Sequence, residues 1–304
     1  MLGELDRILY TDLNTPPETI RDVPFSRIFS LAEMILYSIA NCKDILVEVM
    51  RPTYLGDYFL FHTLNVAFLS CQAAIGLGFS YPELTQVCVI ALLHDIGMKF
   101  INQESFSHEG KLTESQRAEI NRHFEETYHF FEKIKQDIPF LLQVVDDENN
   151  RLLHRHLEQS YSNKQENYEN IKWHTYTEII SGCNTFEALC HDRPYRKAFH
   201  PADAMRMFVE KRKKCYDRKF IRAIIESITL YPITSMVRLN NNRLARVIDI
   251  VEGCPLSPVV AIIEESDTEV NFTSELTGEV IDLSQKPTVF IDSLVYTDNY
   301  QVLA

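Results

Sequence analysis

His94 and Asp95 stand side by side at the end of the nearly all-apolar run 87–93, which must lie inside the protein. An ionised carboxylate buried beside an imidazole is costly unless a charge or hydrogen-bonding group compensates it. A divalent metal is an economical compensation, because imidazole nitrogen and carboxylate oxygen are common ligands of such ions. The plainer alternative is a buried His–Asp hydrogen bond, which an isolated pair would favour. This pair is not isolated. His62 shares a helical face with Tyr58, Asn65 and Leu69, and His123 shares one with Ile120, Thr127, Phe130 and Ile134. His154 and His156 close a further helical stretch, and Asn184 lies in the segment 181–189. His62, His94, His123, His156 and Asn184 follow one another at intervals of 28 to 33 residues. One helix-loop-helix return of that length brings the next side chain to a similar height in a bundle, the way metal sites are built between facing helices. His108, His129, His174, His191 and His200 keep no such register and read as ordinary histidines.

The elements that must hold these groups are mainly helical. Apolar periodicity predicts helices over 25–49, 57–77, 82–97, 113–135, 137–158, 171–190, 201–213 and 217–228. Thr113-Glu114-Ser115-Gln116 has the form of a capping box, and Pro201 suits a first helical turn. Pro16, Pro17 and Pro24 predict an irregular stretch before residue 25, and 158–170 is polar and loop-like. After Tyr231-Pro232 the texture turns short and β-branched: 236–239, 244–251, 259–263 and 289–291 read as strands, with Asn240-Asn241-Asn242 as a turn. The expectation is a helical N-terminal segment over 1–50, a helical bundle over 51–229 and a small β appendage over 230–304. The appendage has no evident catalytic groups and is suited to packing, dimerisation or regulation.

At 304 residues the chain can bury one large core beside a smaller one. No apolar stretch reads as the ~20-residue span a bilayer needs. The acidic start lacks a signal-peptide core, and seven cysteines without a C-x-x-C pair suggest reduced thiols, so a cytoplasmic location is expected. The net charge of −13 argues against long nucleic acids. It leaves room for a small phosphorylated ligand, because from Arg193 to Arg222 eleven Lys or Arg face only Asp203, Glu210 and Asp217. A solvated helix face accounts for Lys211 to Lys214 equally well.

Several motifs in order resemble the HD-domain superfamily of metal-dependent phosphohydrolases, and within it the HD-GYP branch. They are Asp57-Tyr58 with His62 and Asn65-Val66; Ala91 to Gly97 around the HD pair; Gly110-Lys111-Leu112-Thr113 followed by Arg122-His123; Phe186-Glu187-Ala188-Leu189 with Arg193-Pro194-Tyr195-Arg196; and Tyr216-Asp217. The resemblance implies an HD-type helical bundle, divalent metals (one or two here, iron or manganese) and hydrolysis of a cyclic dinucleotide such as cyclic di-GMP. It implies metal ligation by His62, His94, Asp95, His123, His156 and Asn184. Asp95 would also orient the nucleophile, Lys99 would join it as a catalytic group, and Arg193 and Arg196 would hold phosphate. For the two arginines, a pairing with a helix end or a nearby acid is an equal alternative. A second copy of the chain or a signalling protein would be the macromolecular partner.

The departures bear on turnover. The GYP tripeptide is absent, with residues 158–163 in its place, and the paired histidines read His154-Arg155-His156. Spacing and the trailing Glu158 favour His156 as the ligand, with His154 the alternative. The late metal-binding acid is Asn184, the acid one turn before the first His is Tyr58, and the Lys after the HD pair is Met98 with Lys99 one place late. Binding of a nucleotide or partner without turnover is therefore the alternative function.

Overall fold

A computed structural model describes residues 1–13, 23–41, 58–101, 113–141, 144, 175–192, 196–212, 216–227, 230–231, 233–251, 253–263 and 278–295. Eight α-helices are described: α1 (Leu2–Arg7), α2 (Phe25–Asn41), α3 (Tyr58–Gly76), α4 (Tyr81–Leu93), α5 (Glu114–Ile134), α6 (Thr175–Cys190), α7 (Pro201–Arg212) and α8 (Arg218–Ser227). Five short strands follow, so the chain is mainly α with a small C-terminal sheet, as expected.

α3 and α4 form the centre. Residues 87–93 of α4 are all buried, and α3 packs against α1, α2, α4, α6 and α8. α3 is also long and apolar enough to cross a membrane, which the sequence reading did not anticipate, but 72% of its most apolar stretch is buried in the protein. Apolarity on every face is what a helix surrounded by other helices requires.

The helix starts are chemically legible. Thr113 caps α5: its hydroxyl accepts from the Gln116 amide at 3.2 Å while the Gln116 side chain accepts from the Thr113 amide at 2.9 Å. Ser80 and Glu83 form a second such box at α4, which also has Pro82 in its first turn.

Two expectations are corrected. Residues 1–13 are not irregular: α1 continues into a π-helical turn, Ile8–Asp12, and Leu5, Ile8, Leu9 and Leu13 of this stretch enter the core. The helix expected over 82–97 stops at Leu93, and a 3-10 turn, Ile96–Phe100, follows. Neighbours in an unbroken helix point about 100° apart. The break lets Asp95 turn back toward His94.

The sheet comprises β1 (Met236–Leu239), β2 (Leu244–Asp249), β3 (Val259–Ile262), β4 (Val280–Asp282) and β5 (Ile291–Val295), antiparallel in the order β4-β3-β2-β1-β5. The β1–β2 turn places Asn242 at φ 65°, where Asn is better tolerated than most residues. Pairing of Val237 with Ala245 and of Ala245 with Ile262 lines up one apolar face, and Val247 with Val260 and Ile281 continues it. This second core touches the helical one through Tyr231, and His200 Nε2 lies 3.1 Å from Ser235 Oγ.

Candidate metal centre

Three of the histidines singled out by type and spacing converge on the carboxylate of Asp95. Asp95 Oδ2 lies 3.4 Å from His62 Nε2 and 3.4 Å from His94 Nε2, and its Oδ1 lies 3.6 Å from His123 Nε2. α3 supplies His62, the end of α4 supplies His94 and Asp95, and α5 supplies His123.

The approach of α5 depends on Gly97. Its amide donates to Thr127 Oγ1 at 3.0 Å, and a Cβ there would lie 2.0 Å from the His123 carbonyl oxygen. Only glycine allows the 3-10 turn so close to the α5 backbone.

The other ring nitrogen of each histidine is fixed. His94 Nδ1 donates to the Ala91 carbonyl at 2.7 Å, and His123 Nδ1 donates to the Ile120 carbonyl at 2.5 Å. His62 Nδ1 lies 2.5 Å from Glu187 Oε2, and an ionised carboxylate only accepts. With protons on all three Nδ1 atoms, three Nε2 lone pairs face the anionic Asp95. That arrangement is repulsive until a cation enters it. His94 Nε2 is buried and has no hydrogen-bond partner among the described residues.

The ligand atoms of His62, His94 and Asp95 lie within 4.8 Å of one another, a cluster able to hold a metal ion. The donor set therefore fits a divalent cation, with the Nδ1 acceptors setting tautomer and ring orientation as they do behind metal-bound imidazoles.

The electrostatics agree. Burial opposes charge on His62, but Glu187 and then Asp95 overcome it and raise its pKa to about 10. Burial likewise raises the Asp95 carboxyl, yet His94, His62 and His123 hold it well below the ordinary carboxylate range. His94 moves the other way: burial lowers it, Asp95 only partly compensates, and its imidazole neighbours add to the lowering. Without a metal, a proton on His62 is the cation that balances the cluster.

A small cleft opens on this cluster. His94, Asp95, Thr177, Ser181 and Asn184 line its polar side, and Ile90, Phe124, Phe131, Val144 and Ile180 its apolar side. Asn184 is thus placed on the same cleft as the HD pair. His154, His156 and Arg193 lie outside the described residues.

The structure does not bring Lys99 or Arg196 to the cleft. Lys99 Nζ donates to the Leu13 carbonyl at 3.2 Å and lies 5.1 Å from the centre of the Tyr10 ring. Partial burial lowers its pKa to about 8. Arg196 donates to the carbonyls of Ala188, Leu189 and Lys197 and stacks 4.8 Å from the Phe199 ring centre. Its guanidinium closes the C-terminal end of α6, the helix-end pairing that was one of the two alternatives for it.

Sequence reasoning missed Glu187 and His191 as parts of the site. Both are completely buried, and His191 Nδ1 lies 3.1 Å from Glu187 Oε1. The signal was available: Glu187 sits in the core stripe of Tyr176, Ile180, Cys183 and Cys190, where an acid needs a partner. His191 and His200, which the sequence marks only as histidines out of register, are both buried.

The profile of the HD domain matches residues 63–220, and a KOW domain associated with HD domain matches residues 236–303. Cyclic di-GMP phosphodiesterase PdeB of Borreliella burgdorferi is 25% identical over 238 residues, 78% of this chain and 58% of that protein. A cyclic di-GMP phosphodiesterase of Pseudomonas aeruginosa is 23% identical over 255 residues, 84% of this chain and 59% of that protein. The chain thus spans under two thirds of the length of these curated relatives. No solved structure matches it. With the HD profile covering just over half of its residues and the HD pair at the focus of three imidazoles, the chain belongs to the HD domain family.

Proposed function

We propose that the chain is a divergent metal-dependent phosphodiesterase, with a cyclic dinucleotide such as cyclic di-GMP as substrate. The observation that carries this reading is the convergence of three Nδ1-anchored imidazoles on Asp95, a donor set that fits a divalent cation. His62, His94, Asp95 and His123 are the described residues that would hold it, with His156 and Asn184 as further candidates. A bound divalent ion supplies Lewis acidity toward a phosphate oxygen and makes water a better nucleophile at neutral pH.

The chain's own residues do the rest. Asp95, with two oxygens facing different imidazoles, orients the reacting water. The Phe124, Phe131 and Ile180 wall keeps bulk water from the cleft, and Thr177 and Ser181 offer hydroxyls to a polar ligand. The names of the two relatives support the cyclic dinucleotide; iron or manganese is the expected metal.

A second reading rests on specific observations. Asn184 brings no charge to the cleft, and Lys99 and Arg196 are committed elsewhere, an arrangement suited to binding a nucleotide without turnover. Metal content of the purified protein and hydrolysis of cyclic di-GMP, each with Asp95→Ala alongside, separate the two. Stoichiometric metal and turnover, both lost in the variant, support the enzyme. Metal and ligand binding without turnover support the binding protein. Absence of metal that added manganese does not restore overturns both.

A further inference from the structure

His62 belongs to a closed ring of buried polar side chains that runs away from the cleft. His62 Nδ1 meets Glu187 Oε2 at 2.5 Å, and Glu187 Oε1 meets His191 Nδ1 at 3.1 Å. His191 Nδ1 also lies 3.0 Å from the Glu187 carbonyl oxygen, so it is the donor to both. That leaves His191 Nε2 as an acceptor, and Asn65 Nδ2 lies 3.3 Å from it. Asn65 returns the ring to α3, one turn beyond His62.

Every member is at least nine-tenths buried: His62 2% exposed, Asn65 7%, Glu187 and His191 0%. Each donor and acceptor in the ring must therefore find its partner within the protein, and each bond restricts the rotamers of the next residue. Two residues one turn apart on α3 face Glu187 on α6 and His191, which directly follows that helix. A rotation or slide of either helix would break two hydrogen bonds at once.

We propose that His191 and Asn65 are positioning residues for the metal centre, acting through Glu187 on His62. His191 fixes the Glu187 carboxylate so that Oε2 takes the His62 proton, and Asn65 fixes the ring of His191. The consequence at the far end is a His62 imidazole whose ring is held in one orientation, with Nε2 on the Asp95 side 3.4 Å from Oδ2. The position of His191, at the end of α6 and outside the cleft, gives it no role that touches substrate.

The proposal rests on the reading of the cluster as a metal site, and the test separates the two. Co²⁺ is titrated into the metal-stripped full chain, and its affinity is read by competition with a chelating indicator and by the visible absorption of the bound ion. Uptake by the wild type with loss in Asp95→Ala supports the metal reading; no uptake overturns it and the proposal together.

Where the wild type binds, His191→Phe and Asn65→Leu should each weaken affinity by about 10- to 100-fold and shift the absorption bands. His191→Gln, whose amide can still donate to Glu187, should recover most of the loss. In a Glu187→Gln background the His191 substitution should have little further effect, because the chain of influence is already cut. Folded variants, by far-UV circular dichroism, that match wild-type affinity and spectrum would overturn the positioning role and leave the metal site standing. So would additive losses in the double variant. Asn65→Leu carries the test if His191→Phe fails to fold.

Discussion

Glu187 Oε2 and His62 Nδ1 lie 2.5 Å apart, joining α6 to α3 across the protein's interior with 0% and 2% of the two residues exposed. The carboxylate adds a second buried negative charge behind the cluster that Asp95 serves from the front. It brings back part of the charge that Asn184 withholds from the cleft, without itself reaching the cleft.

Glu187→Ala should be among the most destabilising single substitutions in the chain. It leaves two buried imidazole N–H groups, on His62 and His191, without their carboxylate. Breaking a buried charged pair in this way costs on the order of 3–5 kcal/mol. Urea unfolding of the metal-stripped protein measures it, and a loss under about 1 kcal/mol would contradict the pairing.

Gly97→Ala tests whether the cluster depends on close helix approach. The new methyl would meet the His123 carbonyl at 2.0 Å and Thr127 Oγ1 at 2.7 Å, so the turn and α5 must separate. Asp95, two residues away, should then draw back from His123, and metal affinity should fall along with thermal stability. Gly78→Ala is the control. Its backbone has φ 79° but nothing lies within 4 Å of the added carbon. It should cost about 1 kcal/mol of strain and leave metal affinity as it was. Equal metal loss in both variants would contradict the role of the close approach.

Much of this was legible in the sequence because periodicity and burial act locally. His62 and His123 each occupy the apolar stripe of a helix, and the run before His94 has no exposed face. The end of α4 at Leu93 was not legible, because what rewards the break is a contact between Asp95 and histidines on other helices. Where the Lys99 and Arg196 side chains lie was not legible for a related reason. Long side chains follow whichever carbonyl the tertiary fold leaves open, here those of Leu13 and of the α6 end. β4 is three residues long and too short to show a pattern.

Arg196→Ala should lower stability and spare the cleft. The guanidinium donates to three carbonyls and covers Phe199, so its loss should cost roughly 1–3 kcal/mol by the usual worth of hydrogen bonds to a charged group. If the protein hydrolyses or binds a cyclic dinucleotide, KM or Kd should change less than about threefold, under 1 kcal/mol. A large affinity loss in a folded Arg196→Ala protein would return the residue to phosphate binding.

The proton on His62 predicts a pH dependence that a metal should abolish. Its pKa is about 10 in the folded, metal-free protein, raised from 6.5 by Glu187 and Asp95 against the opposing effect of burial. Between those values the folded state holds a proton that the unfolded state has released. Stability from this proton is complete below pH 6.5 and is lost as pH rises toward 10, by up to about 1.4 kcal/mol per pH unit. The same ion pair seen from Glu187, whose carboxyl His62 and His191 hold low despite burial, is lost only on acidification below the usual carboxylate range. Divalent metal takes the place of the His62 proton, so the alkaline slope should vanish when the site is filled. Chemical unfolding from pH 6.5 to 9.5, with chelator and with saturating Mn²⁺, measures both arms. Parallel curves would mean that the ion and the proton do not compete, and that His62 is not a ligand.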